Sequence, residues 1–173
     1  MTTADARRGG TPVYLTLRMK PPWVFIDEIR RFVESFCACA GTTDNREAQL
    51  ALAVHELMQN AVPHSHDDDV ELTLEVEPEA DRVAVAVTNR CTEAEYHALE
   101  ERVARMNGEP DALRHYLQAM HDTPTAQRGG LGLARVRFEA QLELSVSRAG
   151  GRMTVHASGR LRPTPLQTSG GSR

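Results

Sequence analysis

Leu50–Ser65, LALAVHELMQNAVPHS, reads as one amphipathic helix with two polar side chains, Glu56 and Asn60, where a core helix should carry none. Spaced i, i+4, they stand one turn apart and only about 40° apart around the axis. Leu50, Val54, Leu57, Met58, Ala61 and Val62 supply the apolar stripe on the other side. A carboxylate beside a carboxamide on a buried helix suits a hydrated divalent cation and its phosphate. The competing reading is an ordinary solvated face.

Working outward, Asp44 with Glu47 has capping-box spacing and is expected to start this helix, which Pro63 ends. Before it, Trp23 to Ala40 repeats Val24, Ile26, Ile29, Phe32, Val33 and Phe36 at helical spacing, closed by Gly41. Earlier still, Val13, Leu15, Leu17 and Met19 alternate as a half-buried strand. After the helix, His64, His66 and Asp67 to Asp69 form an acidic connector, read as solvated rather than as a metal cluster. Val70 to Val76 and Val83 to Val87 then alternate around a turn at Pro78 to Asp81, an antiparallel hairpin expected at the centre of the sheet. Thr92 with Glu95 caps a helix carrying Tyr96, Leu99, Val103 and Met106, and Pro110 opens another whose apolar positions are Leu113, Tyr116, Leu117 and Met120. A last hairpin joins Leu142, Leu144 and Val146 to Met153, Val155 and Ala157.

At 173 residues and 40% hydrophobic content the chain has room for a single domain with a real core. Residues 12–158 are expected to form it, between a disordered N-terminus (1–11) and a polar tail (159–173). A net charge of -4 argues against binding of nucleic acid. Cys37, Cys39 and Cys91 include no CxxC pair, so neither a disulfide framework nor structural zinc is favoured. Arg7 and Arg8 precede no apolar run, and no stretch has membrane-spanning length, so a soluble cytoplasmic protein is expected. His55-Glu56 does not make a zinc hydrolase, because HExxH needs a histidine where Gln59 stands.

The stretch Arg128 to Ala134, RGGLGLA, has Gly129, Gly130 and Gly132 lead straight into a helix, and glycines before a helix let backbone N–H groups of Gly129 to Leu133 hold phosphate oxygens. Such turns are common, and this one gains weight by following a Glu-x-x-x-Asn helix and a hairpin. The helix ELMQN, the hairpin and then RGGLGLA together resemble the ATP-binding domain of the GHKL superfamily, which includes gyrase, MutL, histidine kinases and bacterial anti-sigma-factor serine kinases. The resemblance spans roughly residues 13 to 158. It implies a two-layer α/β sandwich with helices on one face of a mixed, mainly antiparallel sheet. It further implies that Asn60 binds Mg²⁺ bridging the phosphates of ATP and that Glu56 is the catalytic base. His64 matches a position often basic in the anti-sigma kinases, and Gly129, Gly130, Leu131 and Gly132 match the second glycine box. Arg128 is the candidate cation for phosphoryl transfer.

One departure stands out. The family's Asp-x-Gly-x-Gly box is absent, leaving Asn89 near the place of the aspartate that binds adenine. An Asn carbonyl can accept that bond, but without charge assistance it does so more weakly. With two helices before the glycines, the pattern resembles stand-alone bacterial regulators that include a serine/threonine kinase of a biofilm-signalling partner switch. The expected function is therefore Mg-ATP-dependent phosphorylation, on Ser or Thr, of a protein partner of the anti-anti-sigma type, with a homodimer left open. The alternative is a degenerate module of the same fold that sequesters a partner without catalysis. A purely structural dimerisation domain would leave both Glu56 and Asn60 unexplained.

Overall fold

The computed structural model describes residues 11–20, 23–42, 45–65, 69–122 and 129–162. The expected disordered segment up to residue 10, Asp44, connector residues 66–68, Arg128 and the tail from residue 163 lie outside them. Five strands, β1 (Val13–Met19), β2 (Val70–Glu77), β3 (Arg82–Arg90), β4 (Glu143–Ala149) and β5 (Arg152–Arg160), form one sheet in the order β1-β2-β3-β5-β4. Every neighbouring pair is antiparallel, so the parallel component expected of a mixed sheet is not found among these strands. The period-2 alternation sets the register: Leu72 faces Val87, Leu74 faces Val85, and Val87 faces Val155, all on one buried face. β3 is the central strand.

The helices α1 (Ile26–Cys39), α2 (Arg46–Ala61), α3 (Glu93–Gly108), α4 (Ala112–Asp122) and α5 (Gly129–Phe138) complete an α/β sandwich. α2 is its spine, packed on β3 and flanked by α1 and α5. Leu50, Val54, Leu57 and Met58 are at most 1% exposed, and each such side chain contributes about 1.5–3 kcal/mol by leaving water. The Thr92–Glu95 capping box forms as expected at the start of α3, with Glu95 N–H on Thr92 Oγ1 at 3.2 Å and Thr92 N–H on Glu95 Oε2 at 2.8 Å.

Four expectations are corrected. α2 begins at Arg46, one residue later than a cap at Asp44 requires, and the chain enters it through Asn45 at φ +64°, a left-handed conformation that asparagine tolerates, with no capping bond from the Asn45 side chain. In α1, Val24 and Phe32 are exposed and Cys37 takes the inner position, since the chain starts there as a 3-10 turn (Trp23–Phe25) that rotates Val24 outward. In α4, Leu113, Leu117 and Met120 are about half exposed, because α4 packs on α5 through Tyr116, stacked on Phe138 at 5.2 Å. The strand β5 runs past residue 158 to Arg160, and Leu161 is buried, its N–H bonded to Asp81 O at 3.0 Å.

Candidate functional site

The inward stripe of α2 leaves Glu56 and Asn60 on the flank that meets α5 and the end of β3. Glu56 is nonetheless 91% buried, being only 9% exposed. Its Oε1 accepts a hydrogen bond from Arg135 Nη1 of α5 at 2.5 Å. Its Oε2 lies against Gly132, where a Cβ would stand 2.6 Å away. The absence of a side chain at residue 132 is what allows α5 to come this close to the carboxylate.

Arg135 is shared. Its Nε donates to Glu139 Oε1 at 3.0 Å, and the same oxygen accepts the Tyr116 hydroxyl of α4 at 3.0 Å. Burial opposes the charge of Arg135, but Glu139 and Glu56 outweigh it and raise the guanidinium above its ordinary value. Burial first, and then the bond to Glu139, raise the Tyr116 hydroxyl, which stays a donor.

One turn beyond Glu56, Asn60 lines a cavity of about 130 Å³ together with Asn89 at the end of β3. Leu99 of α3 with Met153 and Val155 of β5 give this cavity apolar walls, and Arg102 and Glu95 of α3 add charge. Asn89 is 1% exposed, and its Nδ2 donates to Arg90 O at 2.8 Å. The arrangement is a largely apolar cavity with two carboxamides in its lining, one turn of α2 from a buried carboxylate that lies against the first turn of α5. Such a cavity offers apolar walls and amide groups to a heterocycle, and the helix start suits an anion attached to it.

A family model described as a histidine kinase-like ATPase domain matches residues 25–158. The chain belongs to this family. The fold agrees with it: a chain in the crystal structure of the SiaB-SiaC complex from Pseudomonas aeruginosa superposes with a TM-score of 0.67 at 13% identity, covering 83% of this chain and 88% of that one. At that identity the likeness is one of fold. No curated protein matches by sequence.

Within this histidine kinase-like ATPase domain, the residues singled out in the sequence fall into two groups. Glu56 with Gly132, and Asn60 with Asn89, come together around one end of α2. The glycines do not precede a helix: α5 already starts at Gly129, so Gly129, Gly130, Leu131 and Gly132 form its first turn. Packing against α2 overrides the low helix propensity of glycine. That turn still presents the N–H groups that no α-helix can satisfy internally. His64 ends the 3-10 turn Val62–His64 after α2, and Arg128 lies outside the described residues. Among the described residues no three His, Cys, Asp or Glu side chains form a metal cluster, and no helix is long and apolar enough to cross a membrane.

Sequence reasoning missed Arg135. Its i, i+4 spacing to Glu139 was visible, but that spacing marks any exposed helix pair. The partner that matters, Glu56, lies 79 positions away.

Proposed function

We propose that this histidine kinase-like ATPase domain binds Mg-ATP at the α2–α5 end of the sandwich and phosphorylates a protein partner on Ser or Thr in a partner-switching pathway. The observation that carries the reading is the placement of Glu56: a nearly buried carboxylate with one oxygen held by Arg135 and the other against Gly132, one turn from Asn60. The donor set fits the nucleotide. Asn60 offers a hard, neutral oxygen of the kind Mg²⁺ accepts in company with water and phosphate. The first turn of α5 offers N–H groups to phosphate oxygens. The cavity bounded by Asn60, Asn89 and Leu99 takes the base. Mg²⁺ held by Asn60 would supply charge neutralisation at the phosphates, and the chain's own work would be positioning. Glu56 takes the proton of the acceptor hydroxyl on Oε2, its unshared oxygen.

The structural likeness to a chain of a two-protein complex, SiaB-SiaC, supports a protein partner, and an anti-anti-sigma-like protein in the cytoplasm is the proposed acceptor. A second reading, a degenerate module that sequesters its partner without catalysis, is favoured by Asn89, a neutral residue near the family's adenine-binding aspartate.

Titration calorimetry with ATP and ADP, with and without Mg²⁺, tests the site in the wild type and in Asn60→Ala. Magnesium-dependent binding lost in Asn60→Ala supports the nucleotide site, and absence of binding at millimolar nucleotide turns the choice to the degenerate module. Glu56→Gln is expected to keep binding and to lose turnover by about 10²-fold or more. Undiminished phosphorylation of a partner by Glu56→Gln removes Glu56 as the base.

A further inference from the structure

The carboxylate of Glu56 is 10% exposed and has given up most of its hydration, so whatever holds it also decides how it can act. Arg135 Nη1 holds Oε1 at 2.5 Å through a charge-assisted bond. An arginine on a long stem needs an anchor of its own, and Arg135 has one: its Nε donates to Glu139 Oε1 at 3.0 Å. Glu139 is fixed in turn by the Tyr116 hydroxyl, 3.0 Å from the same oxygen, and the Tyr116 ring is stacked on Phe138.

We propose that Arg135 is a positioning residue for Glu56, and that Tyr116 of α4 sets its hold through Glu139. The chain Tyr116–Glu139–Arg135–Glu56 runs from α4 through α5 to α2, each link a hydrogen bond to a charged group. By occupying Oε1, Arg135 leaves Oε2 as the oxygen that takes a proton, and it turns that oxygen toward Gly132. α4 packs mainly on α5 and turns Leu113, Leu117 and Met120 outward, so a shift of α4 moves the anchor of Arg135 before it moves anything else at the site. A catalytic role for Arg135 rests on the kinase reading above, whereas its hold on Glu56 does not.

The test reads Glu56 itself, by the carbon-detected NMR chemical shift of its side-chain carboxyl in the full chain, at one pH for every variant. The wild type is compared with Arg135→Gln, Arg135→Lys and Tyr116→Phe. Removing the guanidinium that donates to Oε1 is expected to move this resonance in Arg135→Gln. Arg135→Lys, which keeps the charge and serves if the glutamine variant does not fold, should recover part of that change. Tyr116→Phe should move the resonance by less than Arg135→Gln. An unchanged resonance in both Arg135 variants overturns the positioning role, and an unchanged resonance in Tyr116→Phe overturns the link to α4. The chemical shift needs no turnover, so it stands if the kinase reading fails. If that reading holds, Arg135→Lys should lower kcat with KM unchanged.

Discussion

Helix α2 buries two charged side chains, and it treats them in opposite ways. Arg46, in the first turn, is 1% exposed, and both terminal nitrogens of its guanidinium are held: Nη1 bonds Ala140 O at 2.6 Å and Gln49 Oε1 at 3.0 Å, and Nη2 bonds Arg160 O at 2.7 Å, while its buried Nε has no hydrogen-bond partner among the described residues. Glu56, about three turns on, is 9% exposed, with one oxygen bonded to Arg135 and the other left against a glycine. The first charge stands at the end of the helix whose dipole opposes it, and it ties α2 to the ends of α5 and β5. Burial pushes the Arg46 guanidinium below its ordinary value, and Cys37 and then Asp81 oppose that shift. A buried charge becomes structural when backbone of distant elements holds it on two sides, and it becomes available for chemistry when one of its oxygens is left for a further partner.

Breaking the charge that backbone carbonyls hold should give the largest effect on stability. Arg46→Met leaves the carbonyls of Ala140 and Arg160 without their donor and is expected to cost about 3–5 kcal/mol in urea unfolding. Glu56→Gln should cost far less, because only one bond is disturbed. A loss in Glu56→Gln as large as that in Arg46→Met would erase the distinction between the two charges.

A finer probe is Gly132→Ala. Its Cβ would meet Glu56 Oε2 at 2.6 Å, but that atom ends a flexible side chain and can rotate away. The fold should therefore absorb the change within about 1 kcal/mol, while turnover falls roughly 10- to 100-fold because the base is displaced by about an ångström. Gly159→Ala is the contrasting glycine: its Cβ would meet the carbonyl oxygen of Gln141 at 2.8 Å, and backbone cannot step aside. A cost of about 1–3 kcal/mol is expected, read by the same unfolding measurement and with no change in turnover per folded molecule.

Much of this contrast was legible in the sequence at one end of α2 and hidden at the other. Glu56 and Asn60 stood out because polar residues interrupted an apolar stripe, and the strands were readable because period-2 alternation survives wherever one sheet face is buried. Arg46 gave no signal. It stands three residues before Gln49 in a stretch that reads as a capped helix start, and its acceptors, Ala140 O and Arg160 O, are backbone atoms 94 and 114 positions away. Arg135 was hidden for the same reason. The outward stripe of α4 misled because helical periodicity reports that a helix is amphipathic and not what its apolar face meets.

An effect absent at neutral pH tests the surroundings of the structural charge. Cys37 is fully buried near Arg46 and Glu47; burial first, and then the Glu47 carboxylate, push its thiol from 9.0 to about 12, while Arg46 pulls it down. Below pH 9 both folded and unfolded chains keep this proton, and its contribution to stability is constant. Above it the unfolded chain ionises while the folded chain does not, so stability falls by up to about 1.4 kcal/mol per pH unit between 9.0 and about 12. Urea unfolding of Cys37→Ala against the wild type across that window isolates the slope, since every other titrating group is common to both. A parallel pair of curves would mean that Cys37 does not sense this environment. In an Arg46→Met background the difference should persist to higher pH, because the one charge that favours the thiolate has gone. There the two ends of α2 part again: loss of Arg46 should shift the titration of Cys37 and leave the NMR resonance of the Glu56 carboxyl where it was.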